Sequence, residues 1–347
     1  MLRVNESCGA VAPLRRPIEP GVAVLGIPLA VGPDPCKDQM SSPSVCWPAG
    51  AKGLLGRCSF PREGGPVVCA VSGGADSLAM LALAVAAGCS AHAVHVDHGL
   101  RPGGPEEAAI VKAAASSLGA TFEALSVRVE PGPDLEARAR KARYEVLPEG
   151  TMVGHTADDQ AETLLLNLMR GAGLDGLRGM RATASGLRKV RRPILALRRS
   201  ETIALVTALD LRTVNDPSNA EVRFRRNRAR HEVLPLLADV AGRDPVPLLA
   251  RTAALLADDA DLLDSLALGL DPTDTRALVA APRPLANRAL RTWLREDEGP
   301  ERHPPSYEDL ERTWAVVTGR AVACELSGGR RLSRSAGRLR LDGSRQR

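Results

Sequence analysis

Apolar positions along the chain fall into two rhythms. Short runs rich in Val and Ala, at residues 67–71, 91–96 and 121–127 with a brief one at 152–154, predict buried strands. Between them lie stretches of helical spacing at 78–87, 105–118, 134–147 and 158–170. Strands alternating with helices of this length predict βαβ units, hence a parallel sheet with right-handed crossovers. The predicted fold class is α/β, a Rossmann-like parallel sheet. Ligands of such sheets sit beyond the carboxyl ends of the strands. That places Ser72, His95, Val96, Asp97, His98 and His155 on one rim.

Beyond Asn215 the pattern turns basic and then helical, with helices predicted at 223–237, 246–266, 286–295 and 307–318. Residues 321–326 and 338–341, around Gly328-Gly329, predict a terminal hairpin. The sheet domain is expected at 65–234 and a smaller, mainly helical domain at 235–342, with the boundary near Leu234-Pro235. Residues 1–64 carry eight prolines up to Pro48 and no sustained period. They predict a disordered extension, or a translated start upstream of a true one at Met40 or later.

At 347 residues the chain has ample length for two domains. Aromatic residues make up only 2%, so the core must be built from Ala, Val and Leu, and a base-stacking platform is disfavoured. The net charge of +5 is unevenly spread. Residues 170–232 hold 15 Lys/Arg against 6 Asp/Glu, residues 233–329 hold 10 against 16, and residues 330–347 hold 7 against 1. Basic segments flanking an acidic one suit a phosphate-backbone partner met at two places, and solvated Arg-rich faces are the alternative. On the first reading, Arg330, Arg331 and Arg334 contribute to nucleic-acid affinity. The seven cysteines form no Cys-x-x-Cys pair and no zinc spacing, which fits a reducing cytoplasm. No apolar run approaches the ~18 residues of a membrane span.

The first strand and helix are joined by Ser72-Gly73-Gly74-Ala75-Asp76-Ser77. A glycine turn at a helix N-terminus gathers backbone N–H donors at the positive end of a helix dipole, and that binds phosphate. The Walker loop is excluded because no Gly-Lys-Ser/Thr follows. The stretch resembles the pyrophosphatase loop of ATP-cleaving adenylating enzymes. Asp76 either holds Mg²⁺ against the phosphates or caps the helix. Asp159 and Glu162, three apart, share a helix face opposite Leu164, Leu165 and Leu168. They suit a substrate bearing amines, or they simply favour the helix dipole. Asp158 is assigned to the helix start or to the metal. Arg226 and Arg230, with Asn227 between them, can reach one phosphate or adenylated base, or form an exposed basic face.

A more specific resemblance emerges from the ordered landmarks. These are the loop, then His95-Val96-Asp97-His98-Gly99-Leu100-Arg101, then Arg140-Lys141-Ala142-Arg143-Tyr144, then Gly154-His155-Thr156-Ala157-Asp158-Asp159-Gln160-Ala161-Glu162-Thr163. Arg170-Gly171-Ala172-Gly173, Asp216-Pro217-Ser218-Asn219 and Arg226-Asn227-Arg228-Ala229-Arg230 follow. Together they resemble the tRNA(Ile)-lysidine synthetase family, over about residues 65–240. The resemblance implies a PP-loop fold of the adenine-nucleotide α-hydrolase kind and an ATP-dependent, carbon–nitrogen bond-forming ligase. Its implied substrates are an isoleucine tRNA with a CAU anticodon and free L-lysine. The wobble cytidine O2 would attack the ATP α-phosphate and release pyrophosphate. The lysine ε-amine would then displace AMP at C2.

By this resemblance Ser72, Gly73, Gly74, Ala75, Asp76 and Ser77 bind ATP, with Mg²⁺ at Asp76. His95, Val96, Asp97 and His98 line the nucleotide rim, and Asp159 and Glu162 bind lysine. Asp76, His155 and Asp158 are catalytic candidates, while Arg226, Asn227 and Arg230 meet the tRNA or its adenylate. The resemblance also admits a homodimer. One departure is plain: many members have His-His where this chain has His155-Thr156. The alternative is another PP-loop ATP-dependent tRNA-modifying or amide-forming ligase. Thiolating relatives bring Cys-x-x-Cys pairs, absent here, and an acyl hydrolase would need a Gly-x-Ser-x-Gly elbow.

Overall fold

The structure, a computed structural model, describes residues 45–61, 64–99, 104–129, 135–183, 190–214, 224–296 and 305–343. Most of the expected extension, Leu100, Arg101, Asp216, Pro217, Ser218 and Asn219 lie outside them. Helix α1 (Ala51–Leu55) is followed by β1 (Pro66–Ala70), α2 (Ala75–Ala86), β2 (Ser90–Asp97), α3 (Gly104–Leu118) and β3 (Thr121–Ser126). Next come α4 (Leu135–Val146), β4 (Met152–Val153), α5 (Ala157–Met169), α6 (Leu174–Leu177) and α7 (Arg199–Ala208).

The first four strands form a parallel sheet in the order β3-β2-β1-β4. The chain builds outward from β1 to β2 and β3, then crosses to β4 on the other side. The topological switch point therefore lies between β1 and β4, where this architecture opens a crevice for ligands. Helix α2 is buried from Ser77 to Ala86, which explains its nearly unbroken apolar sequence. It packs on β1, β2, α3 and α7. As composition required, Ala, Val and Leu dominate this core.

Residues 45–61 correct the expected limits of the extension. Ala51 is buried, and Val45, Trp47, Leu54, Leu55, Cys58 and Phe60 pack against the sheet domain's core. The Ser59 N–H donates to the Pro193 carbonyl at 2.9 Å, and Arg57 pairs with Glu201 of α7. Prolines and glycines hid the segment because it has one short helix and otherwise adheres as irregular chain. Burial pushes the Cys58 thiol up to about 12, so it behaves as a small apolar group.

Past α7 one helical run comprises α8 (Arg225–Arg228), a π turn (Ala229–Val233) and α9 (Leu234–Ala241). Pro235 has no amide to offer the carbonyl four residues back, so the ladder must adjust near it. Leu234 and Pro235 thus lie inside a continuous helix. Leu234 joins Ala157, Ala161, Leu165 and Val246 in a small core of its own. Helix α10 (Val246–Ala267) then packs along α5, α6 and α12.

Helices α11 (Thr275–Ala280), α12 (Arg283–Glu296) and α13 (Tyr307–Val317) cover a sheet of β5 (Ala323–Leu326), β6 (Arg330–Ser335) and β7 (Arg338–Asp342). Their shared core includes Leu290, Leu294, Leu310, Trp314 and Leu332, with Trp293 packed at its edge. The expected hairpin is a three-stranded antiparallel meander: β6 stands between the two predicted strands. Its alternation was masked because Arg330 and Arg334 occupy inward positions. Their guanidinium groups donate to the carbonyls of Leu294 and Val317.

Candidate active site

The glycine loop leaves β1 at the switch point. Gly73 adopts φ +86°, and a Cβ there would collide with Val214, whose N–H donates to the Gly73 carbonyl at 2.9 Å. The Ser72 N–H donates to Ser77 Oγ at 3.2 Å, and Ser77 Oγ–H donates to the Gly74 carbonyl at 2.8 Å. Gly74 occupies the N-cap position with no side-chain cap, so the first amides of α2, from Ala75 and Asp76, have no intrahelical partner. At Gly154, a Cβ would lie 2.9 Å from the Asp76 backbone, so only glycine lets the end of β4 cross the loop this closely. That crossing brings the His155 segment to the loop.

Asp76 does not cap its helix. Its carboxylate accepts from Thr202 Oγ1 and, at 3.1 Å, from Arg199 Nε, both carried by α7. Burial raises the Asp76 pKa against the opposing pull of Arg199. The Arg199 fork extends further: Nη2 donates to Asp159 at 2.9 Å and Nη1 to Glu162 at 3.2 Å. Desolvation opposes charging Arg199, but Asp159, Asp76 and Glu162 outweigh it and raise its pKa.

Glu162 is fully buried. Its oxygens lie 2.7 Å from Arg230 Nε and 3.1 Å from Arg226 Nε. Arg226 and Arg230 thus converge, as their spacing allows, but on a carboxylate. Asp159 closes a capping box for α5, accepting from the Thr156 N–H at 2.9 Å and the Thr156 hydroxyl at 3.0 Å. Burial works against its ionisation, yet Arg199 and then His155 and the Thr156 amide hold its carboxyl below the usual range. The helix-end role of Asp159 is therefore realised, and Thr156 is the other half of the cap. Asp158 serves a helix start, though that of α7: it accepts from the Arg199 N–H at 2.8 Å and from Arg198 at 3.0 and 3.2 Å.

A cavity of about 230 Å³ opens beside this cluster. Asp158 and Glu162 give it acidic lining, Arg198, Arg199 and Arg230 basic lining, and Leu234, Pro235 and Val246 an apolar wall. The histidines sit on the same side of the fold. Arg192 Nε donates to His155 Nδ1 at 3.0 Å, which puts the proton of the neutral ring on Nε2. His95 is buried, with Nδ1–H donating to the Val71 carbonyl at 2.9 Å and Nε2 left as a buried acceptor with no hydrogen-bond partner among the described residues. Asp97 accepts from the Gly99 N–H at 2.9 Å. His98 Nε2 accepts from Arg143 at 2.9 and 3.2 Å, and burial followed by the Arg143 charge pulls its pKa down to about 4. Val96, next to last in β2, lies opposite Leu125.

The structure therefore gathers Asp76, Asp158, Asp159, Glu162, Arg226 and Arg230 into one network, while His95, Val96, Asp97 and His98 form a separate stretch of the rim. Asn227 is buried in α8. Sequence reasoning missed Arg199, Thr202 and Arg192. Their only sequence signal was two adjacent arginine pairs, Arg191-Arg192 and Arg198-Arg199, within the basic segment.

The uneven charge has a structural answer. Arg178 and Arg181 pair with Asp264 and Asp261 of α10, Arg198 pairs with Asp244, and Arg288 joins Asp175 to Asp264. Three arginines of the basic segment, Arg178, Arg181 and Arg198, are thus neutralised by the acidic one. The expected roles of the tail arginines need the same correction. Arg330 is buried, Arg334 donates inward, and Arg331 lies between Glu325 and Asp342 in the strand register.

Residues 55–237 match the PP-loop domain family described as ATP_bind_3. The chain is 41% identical to a tRNA(Ile)-lysidine synthase of Nocardia farcinica over 81% of its own length and 93% of that protein. It is 43% identical to a tRNA(Ile)-lysidine synthase of Salinispora tropica, over 79% and 90%. Among solved structures, a U34-tRNA thiolase from Methanococcus maripaludis aligns at 15% identity and a TM-score of 0.48, covering 60% of this chain and 78% of that one. The matched landmarks, the parallel sheet with its PP-loop and near-full-length identity to these relatives agree: the chain belongs to the tRNA(Ile)-lysidine synthase family of PP-loop proteins.

Proposed function

We propose that this protein ligates L-lysine to C2 of the wobble cytidine of a CAU-anticodon isoleucine tRNA, using ATP. The observation that carries this reading is the cavity lined by Glu162, Arg198 and Arg199. A free amino acid with a long amine-bearing side chain needs carboxylates for its ammonium groups, guanidinium for its carboxylate and an apolar wall for its methylenes. Glu162 with Asp159 beside it on the same guanidinium, Arg198, and Leu234 with Pro235 offer all three. The loop provides the second half. Amides at the start of α2 hold the departing pyrophosphate while the cytidine O2 bonds to the α-phosphorus.

Among the described residues no three His, Cys, Asp or Glu side chains gather into a metal site. Mg²⁺ commonly takes one or two carboxylates together with substrate phosphates. Asp76, beside the loop, fits a Mg²⁺ that arrives with the nucleotide and would offset phosphate charge there. His95 Nε2 offers an acceptor for an adenine amine, and Val96, Asp97 and His98 continue that rim. His155, oriented by Arg192, is an acid–base candidate, and Asp158 positions α7. Arg226, Asn227 and Arg230 meet the tRNA or its adenylate. We also propose a cytoplasmic location and a division of the chain at Leu234-Pro235. Among the described residues no helix is long and apolar enough to cross a membrane.

Mass spectrometry of digested tRNA tests the reading. Incubation with ATP, Mg²⁺ and lysine should add the mass of lysine less water to the wobble cytidine, with AMP and pyrophosphate as co-products. An unchanged cytidine overturns it.

A further inference from the structure

Three carboxylates from two parts of the chain meet on one guanidinium. Asp76 belongs to the phosphate loop, and Asp159 and Glu162 belong to the opposite helix. Arg199 serves each with a different nitrogen, at 3.1, 2.9 and 3.2 Å. Its side chain is 21% exposed and also lines the cavity. Arg199 is thus the physical partition between the nucleotide half of the site and the amino-acid half. Here it satisfies the very groups that an ammonium would need.

We propose that Arg199 couples the two halves: nucleotide phosphates at the loop draw its guanidinium away from Asp159 and Glu162, and Asp159, left without its main guanidinium partner, then receives the lysine ε-ammonium. The inference rests on the function proposed above. Its physical basis is competition among anions. Two buried carboxylates already neutralised by a bidentate cation bind a second cation poorly. A polyphosphate beside Asp76 gives Arg199 a rival set of charged oxygens. Arg226 and Arg230 remain on Glu162, so the helix stays anchored while Arg199 changes partner. Linkage then requires that lysine and nucleotide each strengthen the other's binding by the same factor.

Calorimetric titration of L-lysine into the full-length protein, with and without a non-hydrolysable ATP analogue and Mg²⁺, measures this factor directly. In the wild type the analogue should lower the lysine Kd by about 5-fold or more. In Arg199→Gln lysine should bind more tightly without nucleotide, and the factor should shrink to within about 2-fold. Arg199→Lys, which keeps the charge but cannot span three carboxylates, should also lose most of the coupling. The wild-type titration needs no variant to fold. Equal lysine affinity with and without analogue, or full coupling in a folded Arg199→Gln, overturns the inference and leaves the proposed function standing. Lysine failing to bind in any state overturns the amino-acid site itself, and the inference with it.

Discussion

Arg230 Nε lies 2.7 Å from Glu162 Oε1, and Glu162 has no exposed surface. A carboxylate in this position has a structural duty whatever else it does, because Arg199 and Arg226 also converge on it. Truncating it leaves three guanidinium groups crowded around a void.

Glu162→Ala is therefore expected to lower unfolding free energy by about 3–5 kcal/mol, the usual cost of stranding buried charge. Chemical denaturation measures this. Glu162→Gln, which keeps the shape and an acceptor oxygen, should cost less and is the better probe of lysine binding. Loss of lysine affinity in Glu162→Gln with adenylation intact would support the site; a stability change as large as that of Glu162→Ala would count against the network.

Asp76→Asn should abolish pyrophosphate release while leaving the fold in place. Its two oxygens accept separately from Arg199 and Thr202. The single amide oxygen of Asn keeps the Arg199 bond, and its NH2 faces the Thr202 hydroxyl, which can turn to accept. Pyrophosphate release assayed beside a thermal melt separates the two effects. Full activity in the variant would remove Asp76 from the chemistry.

The His98 pKa of about 4 makes a prediction about pH. The native state keeps the ring neutral while the unfolded chain takes up a proton near the ordinary value of about 6.5. Between these values the unfolded state binds more protons, so stability rises with pH and is fully present above about 6.5. It is lost as pH falls toward about 4. Arg143 and His95 oppose protonation and Asp97 favours it. Replacing His98 with Asn should flatten the stability profile across this window relative to wild type, as read by urea denaturation at several pH values. An unchanged slope would show that His98 is not the titrating group.

The tail arginines divide by burial. Arg330→Ala should lower the melting temperature, because its guanidinium is buried against the Leu294 carbonyl. Arg340 is exposed opposite Ser333. Arg340→Ala should leave stability alone and reduce the slope of tRNA affinity against salt by about one unit. Fluorescence titrations at several ionic strengths check this, and an unchanged slope places the tRNA elsewhere.

What could be read from the sequence was local. The glycine loop, the strand ends and the pair Asp159/Glu162 are each defined by neighbours within a few residues, and the sheet that gathers them follows from the alternation of elements. Arg199 and Thr202 reach Asp76 across 123 and 126 positions. They ride on a ten-residue helix that buries only Thr202, Leu205 and Val206, too little to mark a periodic face. Charge counting failed for a related reason: it cannot distinguish an arginine held by Asp261 from one that waits for phosphate. The segment 45–61 was misread because irregular chain can adhere to a core without any repeating pattern.

The scarcity of aromatic residues carries a practical consequence. The chain has only three tryptophans, and they are divided between its cores. Trp47 packs where the segment before β1 meets the sheet domain, whereas Trp293 and Trp314 belong to the core beneath the terminal meander. Intrinsic fluorescence is thus already site-resolved. A variant retaining only Trp47 would report release of that segment from the sheet domain, and one lacking only Trp47 would report melting at the other end, with no dye attached.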